Sequence, residues 1–152
     1  RFHPTKDLVY VSNEQGGGVT VYALDTGKGT LSAIQTITTL PADYVGHISC
    51  SQIQIHPTGN YLYVGNRGHN SIASFSIDGS TGMLTATGWE AVDPVPRAIS
   101  LDPTGNFLFV TGLESGNLIT FRVDQKTGGL TRLVSQPIGS LPMWVSIANL
   151  PG

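Results

Sequence analysis

Apolar positions along this chain fall in short segments of alternating or dense hydrophobic character, each bounded by turn chemistry. In the last third they cover residues 97–102, 107–113, 117–124 and 130–138. The run Asn117-Leu118-Ile119-Thr120-Phe121-Arg122-Val123 alternates as a half-buried strand does. Between these segments stand Pro103-Thr104-Gly105-Asn106, Glu114-Ser115-Gly116 and Gln125-Lys126-Thr127-Gly128-Gly129. Gly and Asn allow the positive φ that tight turns demand, and Pro presets φ near −65°. The pattern predicts four antiparallel strands in this third of the chain.

The same pattern recurs twice upstream. His3-Pro4-Thr5 returns as His56-Pro57-Thr58 and as Asp102-Pro103-Thr104. Val9-Tyr10-Val11 returns as Leu62-Tyr63-Val64 and Leu108-Phe109-Val110, and the strand ending at Asp25 returns as those ending at Asp78 and Asp124. The two spacings are 53 and 46 residues, so the period is near 46 with an insertion of about seven residues between Leu40 and Ser51. A repeat of this length built from four short strands is a β-propeller blade. A solenoid needs a shorter period, and a sandwich needs no repeat.

The expected fold is therefore all-β, a propeller of four-stranded blades labelled A to D from the central channel outward. The blade repeats cover about 1–50, 51–96 and 97–141 of a single segment, and 142–149 is expected as a closing A strand. Arg1 and Phe2 fall at the end of an A strand. Twelve strands make three blades' worth, whereas propellers have about 4–8 blades. Three blades closing alone would each turn through roughly 120°, so missing blades or other copies of the chain are expected to complete the ring. The chain opens on Arg1 rather than Met, and upstream segments are expected.

Composition supports this architecture. Gly numbers 19 and Thr 16 of 152 residues, which favours strands and turns over long helices. Only 12% of residues are charged and the net charge is −2, so no basic surface exists for a phosphate backbone and nucleic acid is not an expected partner. No apolar run reaches the ~18–20 residues of a membrane helix, so no membrane partner is expected either. The single cysteine, Cys50, rules out an internal disulfide framework and fits a reducing, cytoplasmic location. It begins a buried strand and reads as an apolar filler. The four His are scattered and Cys50 has no partner at ligand spacing, so neither a metal site nor a cofactor is predicted. Gly16-Gly17-Gly18 lacks the Lys-Ser/Thr and helix of a phosphate loop and reads as a turn. No Gly-x-Ser-x-Gly elbow is present.

Chemistry is expected where the units differ. The Pro-Thr-Gly turns repeat because they are scaffold, and His3 and His56 among them read as turn residues. The opposite end, formed by the B–C and D–A connections, varies. There Glu14, Arg67 and Leu113 are equivalent, as are Ser51, Arg97 and Met143. Folding does not require a charge where a sibling unit has an apolar residue. Glu14, Arg67 and Arg97 are thus expected to converge near the channel mouth, and His69 lies on the same end. The insertion, with Asp43, Tyr44 and His47, is a candidate lid.

These residues resemble a known family. Phe2-His3-Pro4, Tyr10-Val11-Ser12-Asn13-Glu14, and above all Ile55-His56-Pro57-Thr58-Gly59-Asn60-Tyr61-Leu62-Tyr63-Val64-Gly65-Asn66-Arg67-Gly68-His69-Asn70-Ser71-Ile72 are similar to the C-terminal part of the seven-bladed propeller lactonases. Pro96-Arg97 and Pro142-Met143-Trp144-Val145 also match. The best-known members are bacterial 6-phosphogluconolactonases of the pentose phosphate pathway. The resemblance implies hydrolysis of a sugar-acid lactone, a small-molecule substrate, without a metal. It implies Glu14 and Arg67 as catalytic residues, with Arg97, His69, Gln52 and Asn66 as substrate-binding candidates. Gln52 stands where members often carry an acidic residue, which leaves Glu14 as the main carboxylate. Glu14 would be the general base, helped by burial if burial raises its pKa. The family's upstream site residues, a His and an Arg, precede Arg1. Two rivals stay open: a non-enzymatic surface or binding propeller, and a related muconate-lactonising enzyme.

Overall fold

The computed structural model describes residues 1–148. Among the described residues, eleven strands form three antiparallel meanders and no helix interrupts them. The first sheet holds β1 (Leu8–Asn13), β2 (Gly18–Asp25) and β3 (Thr30–Thr38). The second holds β4 (Cys50–Ile55), β5 (Tyr61–Asn66), β6 (Ser71–Ile77) and β7 (Leu84–Ala91). The third holds β8 (Pro96–Leu101), β9 (Phe107–Gly112), β10 (Asn117–Val123) and β11 (Leu130–Pro137). Within each sheet the strands lie in chain order, the arrangement of a propeller blade. The first sheet has only a stub of its A strand. Phe2 bridges Val9, the Arg1 amine donates to the Tyr10 carbonyl at 2.8 Å, and the Tyr10 amide donates back to the Arg1 carbonyl at 2.8 Å.

The closing role expected of 142–149 calls for partner strands outside this chain. Residues 142–148 pair with no sheet, and Asn149 lies outside the described residues. The reason is topological. An A strand needs the inner edge of a B strand, and each B strand described here already has its own first strand or stub.

Period-two alternation decides which sheet each side chain meets. On β5, Leu62 and Val64 join a cluster with Leu8, Tyr10, Val19, Val21 and Phe75 against the first sheet. Tyr61 and Tyr63 point the other way, into Ile99, Leu108, Val110, Ile119 and Phe121 of the third. The middle sheet is thus covered on both faces, and every residue of β5 is buried. The side chain of Gln52 accepts from the Ile99 amide at 3.0 Å, and Gln54 donates to the Ile99 carbonyl at 2.9 Å. These two amides stitch the innermost strands β4 and β8 together.

The turns joining A to B and C to D gather at one end. There His3 bonds the Gly59 carbonyl at 3.2 Å through Nε2, and His56 bonds the Gly105 carbonyl at 3.1 Å in the same way. Their Nδ1 atoms meet Thr5 and Thr58 within their own turns. Tyr10 donates its hydroxyl to the Gly82 carbonyl and Tyr63 to the Gly128 carbonyl, each at 2.8 Å. One blade's side chains therefore hold the next blade's turns, a cross-blade role beyond the turn bonding that spacing predicts for the two histidines.

Candidate functional site

At the opposite end the B–C turns and the D–A connections meet. Two irregularities in the inner strands shape it. The pairing of β4 with β5 shifts between Cys50 and Ile53, and that of β8 with β9 shifts between Pro96 and Ala98. Such bulges re-aim side chains that a regular ladder would commit to one face. Here they release Ser51, Gln52 and Arg97 from strict alternation.

All three line a cavity of about 230 Å³. Glu14 and Arg67, from the ends of β1 and β5, complete its charged wall. Cys50, Met143 and Trp144 supply the rest. Ser51, Arg97 and Met143, equivalent by the repeat, thus meet at one place although Met143 is in no strand.

Arg67 is the anchor of the site. Its guanidinium pairs with the Glu14 carboxylate, and the same Nη2 donates to the Cys50 carbonyl at 2.9 Å. Its amide donates to the Ser49 carbonyl at 2.7 Å, while the Cys50 amide donates to the Glu14 carbonyl at 2.8 Å. The Arg67 side chain is only 16% exposed, whereas that of Glu14 is 65% exposed. Glu14 is therefore an accessible, ion-paired carboxylate, without the burial expected of it. Two buried polar atoms of the lining residues, Arg67 Nε and Ser51 Oγ, have no hydrogen-bond partner among the described residues. The Arg97 side chain makes no hydrogen bond or ion pair among the described residues. The wall thus presents one tethered cation, one untethered cation and one half-engaged carboxylate.

The other candidates lie differently. Gln52 lines the cavity, but its carbonyl oxygen is committed to Ile99. Asn66 is buried, donates to the Thr39 carbonyl at 2.7 Å and to Ser71 Oγ at 3.2 Å, and does not reach the lining. It holds the B–C turn together. His69 sits beside Ser71 Oγ at 2.8 Å and against the Tyr44 ring edge-on, outside the cavity. The insertion also lies on the B–C turns instead of over the cavity. A Cβ on Gly68 would collide with the His47 carbonyl, and one on Gly17 with Ile48. Cys50 opens β4 as expected, with burial pushing its thiol up. Trp144 carries no repeat signature and was invisible to spacing arguments. Ser51 was visible only as the polar sibling of Arg97.

Comparison with known proteins gives the family and the fold. A family model described as "Lactonase, 7-bladed beta-propeller" matches residues 1–147. The 6-phosphogluconolactonase of Pectobacterium atrosepticum is 36% identical over 151 residues, covering 98% of this chain and 45% of that protein. That of Serratia proteamaculans is 36% identical over 148 residues, covering 96% and 44%. The chain spans a little under half the length of these curated relatives. Among solved structures, a protein from Lactobacillus plantarum superposes with a TM-score of 0.90 at 27% identity, over 94% of this chain and 42% of that one. The periplasmic gluconolactonase of Pseudomonas aeruginosa superposes with a TM-score of 0.83 at 30% identity, over 88% and 38%.

Proposed function

We propose that this chain, which belongs to the seven-bladed β-propeller lactonase family, forms one side of a site that hydrolyses a sugar-acid lactone, with 6-phosphogluconolactone as the substrate. The observation that carries the reading is the convergence of Glu14, Arg67 and Arg97 on one cavity. Ligand pockets typically enclose about 300–1,000 Å³, so this cavity of about 230 Å³ suits one wall of a larger site. Further blades, or other copies of the chain, supply the remainder of the ring.

Each residue has a chemical task. Arg97, uncommitted in the free protein, takes the phosphate or carboxylate oxygens through charge-assisted hydrogen bonds. Arg67, held by Glu14 and the Cys50 carbonyl, keeps a fixed positive charge at the cavity wall. As water adds to the lactone carbonyl, its oxygen becomes an oxyanion, and a fixed guanidinium stabilises that charge without reorganising. Glu14 accepts a proton from the attacking water, and its exposure lets the water reach it. The ring C–O bond then breaks, its oxygen takes up a proton, and the open-chain acid forms. These guanidiniums carry the positive charge that a metal supplies elsewhere, and on this reading the reaction is metal-independent. A phosphorylated sugar acid is a cytoplasmic metabolite, so the reading places the protein there.

Lactone turnover by the intact protein tests this. Glu14→Gln and Arg67→Ala should each lower kcat/KM by about a hundredfold or more, the scale of losing a transition-state charge contact. Wild-type kcat/KM in both variants overturns the assignment. Comparing a phosphorylated with a neutral sugar lactone identifies the substrate, because only the former repays two arginines.

A further inference from the structure

The repeat makes Gly17, Asn70 and Gly116 equivalent, each the residue just before β2, β6 or β10. All three are left-handed, with φ of 60°, 55° and 70°. All three carbonyls accept an amide from the chain leaving the outer strand: Thr39 at 2.9 Å, Val92 at 3.0 Å and Ile138 at 2.9 Å. That backbone task suits glycine best, and two units use it. The middle unit uses Asn, which tolerates the conformation less easily but adds a side chain.

That side chain has one partner. Asn70 Oδ1 accepts the Val95 amide at 2.9 Å. Val95 is itself left-handed, with φ of 57°, which is a true outlier for a β-branched residue. Its carbonyl accepts the Leu113 amide at 2.9 Å, so the corner is gripped from the B–C turns of two blades. Leu141, the equivalent before Pro142, is also left-handed, and there Gly116 stands in the place of Asn70 without a side chain to bond it. Ser49, the other equivalent, receives the Arg67 amide without any positive φ, so the connection itself does not require the strained conformation. A β-branched residue in this conformation, bonded by a side chain that the third unit lacks, directs attention to what lies next to it. Two residues on, Arg97 is the extra residue of the β8 bulge and faces the cavity.

We propose that Asn70 is a positioning residue for Arg97: it fixes Val95, and through Pro96 the bulge, so that the guanidinium is preorganised toward the bound anion. The role rests on the cavity reading above. It also accounts for Asn70 within the family-like stretch from Asn66 to Ile72, where no contact with the cavity explains it.

Calorimetric affinity of the intact protein for 6-phosphogluconate, the hydrolysis product, tests the proposal. Asn70→Gly installs the residue of the sibling units, so the fold is retained. It should weaken binding about tenfold, since small misplacements of a contact group are costly. In an Arg97→Ala background the same change should cost less than about twofold, because coupled residues are not additive. Amide exchange at Val95 should quicken in Asn70→Gly and not in Arg97→Ala. Wild-type affinity in Asn70→Gly, or an equal loss with and without Arg97, overturns the positioning role alone. Wild-type affinity in Arg97→Ala overturns the cavity reading and this role with it.

Discussion

The two ends of the blades are built from the same repeat and treat their polar groups in opposite ways. At the turn end, His3, His56, Tyr10 and Tyr63 each reach into the next blade and satisfy a particular backbone carbonyl. At the rim, Arg97 has no partner among the described residues, Glu14 is two-thirds exposed, and buried atoms of Arg67 and Ser51 go unpaired. Buried polar groups are nearly always satisfied, so unsatisfied ones clustered in one cavity need an explanation other than folding. One end has completed its bonding within the protein, while the other retains capacity for a ligand. Substitutions at the first should therefore cost stability and spare affinity, and substitutions at the second should do the reverse.

The strongest way to break that division is Gly105→Ala. Gly105 is left-handed, with φ of 75°, and a Cβ there would collide with His56 Nε2. Backbone strain and expulsion of a buried ring act together, and a loss of about 2–4 kcal/mol is expected. Thermal unfolding should show the loss, while affinity for 6-phosphogluconate should stay within about twofold, because the sites are independent. A large affinity change with little change in Tm would mean that the turn end is not merely scaffold.

Much of this organisation was readable from the sequence, for a physical reason. Register is strongly specified where strands bury one or both faces, so Val9-Tyr10-Val11 and its siblings announce both period and orientation. The rim cluster was readable because Glu14, Arg67 and Leu113 cannot all be required by one scaffold position. What escaped depended on contacts between units. Asn66 looks like a site residue beside Arg67, yet its amide is spent on Thr39 and Ser71. Nothing in the spacing says that Val95 is left-handed or that its amide bonds the Asn70 side chain. Pairing partners are a property of the assembly, not of the segment.

Acidification offers a finer probe of the same contrast. Burial lowers the pKa of His56 and of His3, although the Gly59 and Gly105 contacts oppose it. Above the ordinary histidine value of about 6.5 both are neutral whether folded or unfolded, and pH has no leverage through them. As pH falls below that value the unfolded chain takes up protons that the folded one resists, so stability declines until the folded values are passed. In the third unit the equivalent residue is an acid, which bonds only within its own turn. Burial pushes the Asp102 carboxyl up, but hydrogen bonds from Thr104 and from the Phe107 amide outweigh it and hold the group below its ordinary value. Melting between pH 7.5 and 5.5 should thus show a decline that flattens in His56→Asn. An unchanged slope in that variant would remove His56 from the account.

The smallest effect isolates one bond. Tyr63→Phe deletes the hydroxyl that reaches Gly128 and leaves the ring in the second core cluster. Tyr10→Phe does the same for Gly82 in the first. Each should cost about 1 kcal/mol, the net worth of a typical buried hydrogen bond, or about 2–4 °C in a chain of this size. The third unit supports the comparison, because Phe109 fills the equivalent position without a hydroxyl, on the face of its sheet turned away from the middle blade. The aromatic ring is thus the part the blade requires, and the hydroxyl is added where a neighbouring turn carbonyl needs a donor. Burial pushes the Tyr10 hydroxyl up to about 12 and that of Tyr63 higher still, so both remain donors across any usable pH. Their contribution should accordingly be the same at pH 6 and pH 9, unlike that of His56. If Tyr63→Phe lowered ligand affinity as well as Tm, the turn end and the rim would be coupled through the middle blade, and the separation of the two ends would fail.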